Sequence, residues 1–220
     1  MQPRPDCTLI SAGLTGERFA VSERCPGDDA VRLTLSETVP EDNRAPEDIA
    51  SDTTGADGVW IIEVRDNGVL ALVNRGADWA VEWFVAPDDY SLVLPLGGEP
   101  SLKPDEDTVS SDRTQTRWFD GSVTHAFDVT TPWHAWTIAG TSGPGLTGGW
   151  SPDPDSHTVP DWVLMPTGDG VALLDHADGR EDRRFDVSAE GAEKVIGLSQ
   201  VGDILYERRG GKIHAYKLVA

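Results

Sequence analysis

Positive charge is scarce in this sequence. Eighteen lysines and arginines stand against 38 aspartates and glutamates, which gives a formal net charge of -20. Phosphate backbones and anionic lipid surfaces repel such a chain, so the composition argues against nucleic-acid binding and against direct membrane contact. We interpret the acidity as a well-solvated surface rather than as an ion-binding feature.

Long apolar runs are also absent. Val69–Val73 is typical of the longest, and a membrane helix needs about 20 such residues. The first residues, Met1–Asp6, have no apolar core, so we expect no signal peptide at this start. We expect a soluble piece, which could have been cut from a longer protein.

Helical periodicity is missing too, because 15 prolines and 23 glycines interrupt nearly every window, and only Ser188–Lys194 could hold a helical turn. Short β-rich runs separated by Gly, Asp and Pro occur instead. This spacing is typical of an all-β sandwich, barrel or propeller. The clearest runs are residues 18–21, 31–35, 59–64, 69–73, 79–85, 90–94, 116–119, 136–138, 162–165 and 195–198.

The sequence has two cysteines: Cys7 precedes one β-rich run and Cys25 ends the next. A hairpin between these runs would bring both sulfurs to the same end. A disulfide there would contribute about 3 kcal/mol, mainly by restricting the unfolded chain. The alternative is two unrelated reduced thiols. We favour the disulfide, which implies an oxidising, extracytoplasmic compartment.

A repeated turn-and-strand pattern decides among the three architectures. Copies begin at residues 27, 66, 121, 168 and 210, so they are separated by 39, 55, 47 and 42 residues. A four-stranded propeller blade takes roughly 40 to 50 residues, whereas a sandwich has no reason to repeat at this period. Consecutive apolar residues, as in Val163–Met165, also suit blades, whose inner strands are covered on both faces by neighbouring blades.

The sequence therefore predicts an all-β fold, a β-propeller of about five four-stranded blades. The ring could be incompletely closed, or the chain could be an arc of a larger propeller. We assign one domain, residues 1–220, with approximate repeats at 7–54, 55–100, 107–145, 146–190 and 191–220.

The last repeat is one strand short. Gly202–Leu218 reads as a hairpin around Gly210 and Gly211, and the sequence stops soon after it, at Ala220. Met1–Asp6 could supply an outer strand, but their two prolines cannot donate the hydrogen bonds of a strand ladder. We predict a final, incomplete blade with an open edge.

Two segments, residues 126–131 and 174–180, resemble the Ala-Leu-Asp-x-x-Thr-Gly turn of pyrroloquinoline-quinone-type (PQQ-like) propeller repeats. Other segments are similar to the C-terminal part of an actinobacterial group of membrane-anchored PQQ-like propeller proteins. These are Pro3–Cys7, Ser22–Gly27, Trp136–Gly140 with Gly143–Gly145, and Tyr206–Gly211. The resemblance is thin between Pro40 and Asp112.

This resemblance implies an extracytoplasmic propeller of the cell envelope with no established activity. Its membrane helix and upstream blades would be absent from this chain. The resemblance does not imply a quinone cofactor, because the chain lacks adjacent cysteines and a convincing Glu-Asn-Asp metal set, and fold does not carry function with it. We expect no cofactor.

No motif marks a metal or catalytic site. Ser151–His157 alternates carboxylates near a histidine, but it lacks the Gly and bidentate Glu spacing of a calcium loop. His125, His134, His176 and His214 show no paired spacing, which favours structural roles over metal binding. There is no Gly-x-Ser-x-Gly elbow. A paired-carboxylate hydrolase stays open, because the distances between acids are invisible in the sequence.

The tryptophans provide the best candidates for a ligand surface. We predict that Trp118 and Trp136 pack in blade cores. Trp133 follows a proline and Trp150 follows two glycines, so we predict that these two lie at the surface. Exposed tryptophans are enriched in binding hot spots.

Three hypotheses follow. The first is a non-catalytic extracytoplasmic propeller that binds a protein or another envelope component. The second is an envelope hydrolase or glycan-active enzyme with carboxylates in the central channel, and apolar or small residues there would argue against it. The third is a structural module that completes a larger propeller and would be unstable or self-associating when isolated.

Overall fold

The computed structural model describes residues 6–38, 48–86, 89–131, 133–147, 162–186, 194–201 and 204–217. These ranges contain nineteen β-strands and no helix, so no helix in them could cross a membrane. The chain forms two compact units, Met1–Pro104 and Asp105–Ala220. Each unit is built from antiparallel sheets whose strands lie side by side in sequence order.

The first unit contains two four-stranded sheets. Sheet one consists of β1 (Thr8–Leu14), β2 (Arg18–Arg24), β3 (Arg32–Glu37) and β4 (Asp48–Thr53). Sheet two consists of β5 (Gly58–Arg65), β6 (Gly68–Arg75), β7 (Asp78–Ala86) and β8 (Asp89–Leu96).

Sheets one and two pack face to face through aliphatic side chains. Leu33 and Leu35 of β3 share one buried cluster with Val59 and Ile61 of β5. Side chains of sheet two pack closely on Gly13, where an added Cβ would lie 2.8 Å from the Ile61 side chain. Each buried Val, Leu or Ile contributes about 1.5–3 kcal/mol, so this interface supplies much of the first unit's stability.

The second unit contains three sheets. Sheet three consists of β9 (Val109–Ser111), β10 (Gln115–Phe119), β11 (Val123–Asp128) and β12 (Trp133–Ala139). Sheet four consists of β13 (Leu146–Thr147), β14 (Trp162–Pro166), β15 (Gly170–Asp175) and β16 (Glu181–Asp186). Sheet five has three strands among the described residues: β17 (Val195–Val201), β18 (Ile204–Arg209) and β19 (Lys212–Lys217).

Sheet four is covered on both faces within this unit. Val163, Met165 and Leu174 pack with Trp136 of sheet three. Leu164 and Val171, which point the opposite way, pack with Leu205 of sheet five. A strand covered on both faces needs consecutive rather than alternating apolar residues, and β14 and β15 show this pattern.

The repeated turn occupies one equivalent position in four of the five sheets. The turns at residues 27, 121, 168 and 210 each connect the second and third strands, whereas the turn at residue 66 connects the first and second. The equivalent turn in sheet two is Gly76-Ala77, between β6 and β7. The copy at residue 66 was therefore out of phase. With starts at 27, 76, 121, 168 and 210, the intervals become 49, 45, 47 and 42 residues.

Aspartates also hold turns at other positions in the sheets. The backbone amides of Thr114 and Gln115 donate to Asp112 Oδ1 at 2.8 and 2.9 Å. The amides of Thr130 and Thr131 donate likewise to Asp128. A carboxylate that accepts local amides stabilises a turn without needing a ligand. Some of the aspartates therefore stabilise turns, including Asp128, whose turn resembles that of PQQ-like repeats.

A disulfide joins Cys7 and Cys25. Antiparallel pairing of β1 with β2 places Thr8 opposite Arg24, so the cysteines that flank these two residues meet at one end of the hairpin. The Glu23 carboxylate lies within 4.8 Å of both sulfurs. Oxidised sulfurs cannot act as thiolate ligands, so this group is not a metal site.

Candidate functional site

The second unit contains a cavity of about 450 Å³. Its walls come from the first strand of each sheet, namely β9, β13 and β17, together with one face of β18 and β19. Most of the lining is apolar or small. The lining residues are Glu106, Asp107, Val109, Ser110, Pro144, Gly145, Leu146, Ile196, Gly197, Leu198, Ser199, Tyr206, Glu207, Arg208 and Ile213.

The alternation of β18 explains how sheet five forms both a core and a cavity wall. Leu205, Glu207 and Arg209 are buried, and Leu205 packs on sheet four. Tyr206 and Arg208 point to the opposite face. The register places Arg208 directly across from Ile213 of β19, so both side chains lie on the face that lines the cavity. We call this side of sheet five the cavity face.

Two of the three acidic residues of the cavity lining are paired with arginines, and the Glu207 side chain lies on the buried face of β18 rather than on the cavity face. Glu207 is 2% exposed and accepts hydrogen bonds from Arg209 Nη2 and Nε at 2.7 and 3.1 Å. Arg208 Nη2 lies 3.0 Å from Asp107 Oδ1, where both side chains are solvent-exposed. The cavity therefore offers an apolar surface with an ion pair between two of its lining residues. It does not present a set of free carboxylates.

A separate polar network links sheets three and four. Arg117 is fully buried, and its Nη1 and Nη2 donate to Asp112 Oδ2 and Thr147 Oγ1 at 2.9 and 3.0 Å. His176 Nε2 lies 3.2 Å from the same Asp112 oxygen. The His176 carbonyl accepts hydrogen bonds from Gln115 and Trp136. A buried charge needs such partners, so a structural role explains the positions of Asp112, Arg117 and His176.

The electrostatics of Asp112 agree with a structural role. Burial alone would raise its pKa, but hydrogen bonds from His176, Arg117 and the Thr114 amide outweigh burial and hold the pKa well below its usual range. Burial also lowers the pKa of Arg117, and the Asp112 carboxylate opposes that shift. Asp112 is therefore a permanent carboxylate and unsuited to general acid catalysis near neutral pH.

A chain of carboxylate, imidazole and hydroxyl lies on sheet three. Asp120 Oδ2 is 3.4 Å from His125 Nε2, and His125 Nδ1 is 2.9 Å from Thr137 Oγ1. A nucleophilic triad uses groups in this order. Here the Asp–His contact is long for a hydrogen bond, and the Thr137 hydroxyl also contacts His134 Nε2 at 2.8 Å. The cluster cross-links neighbouring strands, which explains it without catalysis.

The tryptophan predictions have different outcomes. Trp118 and Trp136 are 0% and 5% exposed, which confirms that they pack in the core. Trp133 is 69% exposed at the start of β12, and it is not among the cavity-lining residues. Trp150, like the acidic segment Ser151–His157, lies outside the described residues. A ligand surface formed by Trp133 and Trp150 stays a prediction.

The histidines follow the expected structural pattern where they are buried. His125 and His176 are 6% and 7% exposed, and both have hydrogen-bond partners. His214 lies on the exposed strand β19.

Sequence reasoning missed the residues that line the cavity. Tyr206 and Ile213 belong to the terminal hairpin, which drew attention as a blade rather than as a binding surface. One signal was available, because Ile213 is a large apolar residue on a strand predicted to form an open edge.

No protein-family model matches the chain, and no curated protein matches it by sequence. Solved structures do match it in fold. They include a prolyl endopeptidase, at 15% identity and a TM-score of 0.56, and the dihydro-heme d1 dehydrogenase NirN, at 17% and 0.52. The C-terminal WD40 domain of Sif2 matches at 10% identity with a TM-score of 0.51.

These matches establish the fold alone. They cover 97%, 91% and 96% of this chain, which spans 33%, 42% and 58% of the respective matched chains. With five antiparallel sheets of three or four strands, the chain has the β-propeller fold, as its sequence predicts. Membership of the PQQ-like group and closure of the ring stay predictions.

Proposed function

We propose that this chain is a non-catalytic, extracytoplasmic β-propeller module that binds a protein or another envelope component through the cavity of its second unit. One observation carries the proposal. The cavity is lined mainly by apolar and small residues, including Leu146, Tyr206 and Ile213. Surfaces of this composition suit peptide side chains, because aromatic and aliphatic groups dominate protein recognition sites.

The same lining argues against the hydrolase alternative. A glycosidase requires one carboxylic acid and one carboxylate placed on either side of a reacting bond. Glu207 is held by Arg209, and Asp107 by Arg208. Both carboxylates are therefore engaged with arginines and are not placed as an acid and a base on either side of a reacting bond.

The disulfide supports the location. Bridges of this kind persist in oxidising compartments and are rare in the cytosol, and Cys7 and Cys25 are paired.

Selection of binding peptides tests this role without a known partner. A library of random peptides displayed on phage would be selected on the intact chain and then assayed on the Gly197→Phe variant. Gly197 lines the cavity, and a Cβ there would meet Arg208 at 3.5 Å, an ordinary contact. The phenylalanine would occupy the cavity, so we expect selected peptides with apolar residues to bind at least about tenfold more weakly.

Gly98→Phe is the matched control, because nothing lies within 4 Å of a Cβ at Gly98 and this residue is not among those that line the cavity. Circular dichroism would verify that both variants are folded. The proposal fails if no peptide is enriched, or if enriched peptides bind the Gly197→Phe variant as well as they bind the wild type.

A further inference from the structure

Building on the proposed function, we infer that β19 accepts an extended, acidic polypeptide segment of a partner as a fourth strand of sheet five. The inference specifies the partner chemistry of the same site. It depends on the hydrogen-bonding edge of β19, on the charge of sheet five, and on the position of the cavity beside that edge.

β19 is an outer strand of sheet five in the described part of the chain. Sheet five is ordered β17-β18-β19, whereas each of the other four sheets has a fourth strand. All six residues of β19 are solvent-exposed. An edge strand presents N–H and C=O groups that can pair with another chain, and peptide recognition by strand addition uses this property.

The charge of sheet five is opposite to that of the whole chain. Residues 194–217 include five cations and two acids, although the chain has 18 cations and 38 acids overall. The cations are Lys194, Arg208, Arg209, Lys212 and Lys217, and the acids are Asp203 and Glu207. Since exposed charges act mainly within about 10 Å, a partner strand at β19 would experience this local positive charge more than the distant acids.

A second copy of this chain fits the edge less well than an acidic strand. Symmetric antiparallel pairing of two β19 strands would place Lys212 of each copy opposite Lys217 of the other. Like charges directly opposite each other destabilise a strand pair, whereas glutamates or aspartates at those positions would stabilise it. Two chains of net charge -20 would also repel each other.

The cavity specifies the rest of the partner strand. Ile213 points to the cavity face and is 74% exposed. Alternation places Lys212, His214 and Tyr216 on the opposite face. An added strand with apolar residues at alternate positions would therefore contact Ile213 beside the cavity. Its intervening acidic residues would lie next to Lys212.

The probe is a fluorescein-labelled peptide of about seven residues that alternates glutamate and valine, which is sufficient for one strand. Matched peptides replace glutamate by lysine, or carry N-methyl groups that remove the ladder hydrogen bonds. We expect fluorescence anisotropy to show binding of the acidic peptide alone. We expect hydrogen exchange to show that β19 amides facing away from β18 exchange rapidly in the free protein and become protected by this peptide.

Charge reversal tests the edge directly. The variant Lys212→Glu should bind the acidic peptide several-fold more weakly, because an exposed attraction becomes a repulsion. The control Arg183→Glu makes the same change in net charge at an exposed position of β16 and should bind like the wild type.

Each remaining outcome has a definite consequence. Failure of the acidic peptide to bind, equal binding of the N-methylated peptide, or protection of β19 in the free protein would overturn the inference. Protection that depends on protein concentration would identify a second copy as the occupant, and constant protection would identify the chain itself.

The two proposals can fail separately. If the phage selection enriches peptides that lack acidic residues and bind the Gly197→Phe variant more weakly, the proposed function survives and this inference fails. If the acidic peptide binds equally to the Gly197→Phe variant, the edge is supported and the cavity is not.

Discussion

The first three strands of sheets four and five pair antiparallel in the same order, but the two sheets differ in how much of their surface neighbouring sheets cover. Their third strands, β15 and β19, occupy equivalent positions. Four of the six residues of β15 are buried, whereas all six of β19 are exposed. Strand pairing alone therefore does not determine burial. A neighbouring sheet on each face does, and the fifth sheet retains Ile213 and Tyr216 on a strand that has no such cover among the described residues.

The polar links of the two sheets differ in the same way. Sheet four is tied to sheet three through the buried Arg117, which reaches both Asp112 and Thr147. Sheet five contacts the segment before β9 through Arg208 and Asp107, whose side chains are 46% and 66% exposed. Because solvent screens the second pair, removing one partner from the first should destabilise the fold far more.

The largest expected effect comes from breaking the buried link. Asp112→Ala would leave the Arg117 guanidinium buried without its carboxylate, which costs about 3–5 kcal/mol in such cases. Asp107→Ala removes only an exposed partner and should cost about 0–1 kcal/mol. Urea unfolding followed by far-UV circular dichroism measures both changes.

A double variant checks the cause. Asp112→Ala/Arg117→Met removes both charges and should recover part of the lost stability, because an apolar replacement of a buried pair is often tolerated. If the double variant is less stable than Asp112→Ala alone, the unpaired arginine does not explain the loss.

The next prediction compares truncation of a buried side chain in β15 with truncation of an exposed one in β19. Leu174→Ala in β15 removes a 1% exposed side chain from the sheet three–four core and should cost about 2–5 kcal/mol. Ile213→Ala in β19 should change the free energy of unfolding by less than about 0.5 kcal/mol, while it weakens peptide binding at the cavity. Equal destabilisation by the two changes would show that β19 is covered.

Much of the architecture could be predicted from local sequence. Turn residues and apolar runs are short-range features, so strands and a blade-length period were visible. The predicted start of the repeat in sheet two was one turn too early. Asn67-Gly68 is a strong hairpin signal, so this turn was aligned with the other copies in place of the turn at Gly76. The cavity could not be predicted, since it joins residues from Glu106 to Ile213. The Asp112–His176 contact likewise spans 64 positions.

The smallest effect concerns pH and the buried histidine of sheet three. Burial lowers the pKa of His125 below its usual 6.5, and the Asp120 carboxylate opposes part of this shift. Below about pH 6.5 the unfolded chain therefore takes up a proton that the folded chain resists, so stability falls as the pH decreases. The pKa of His134 is also lowered, mainly by burial, and contributes with the same sign.

His125→Gln should reduce the difference in unfolding free energy between about pH 7.5 and pH 5.5, a window that lies above most carboxylate titration. Thr137→Val is the control, because it removes the hydroxyl that contacts both rings but keeps both imidazoles, and the pH difference should persist. An unchanged difference in His125→Gln would mean that other groups produce the pH dependence.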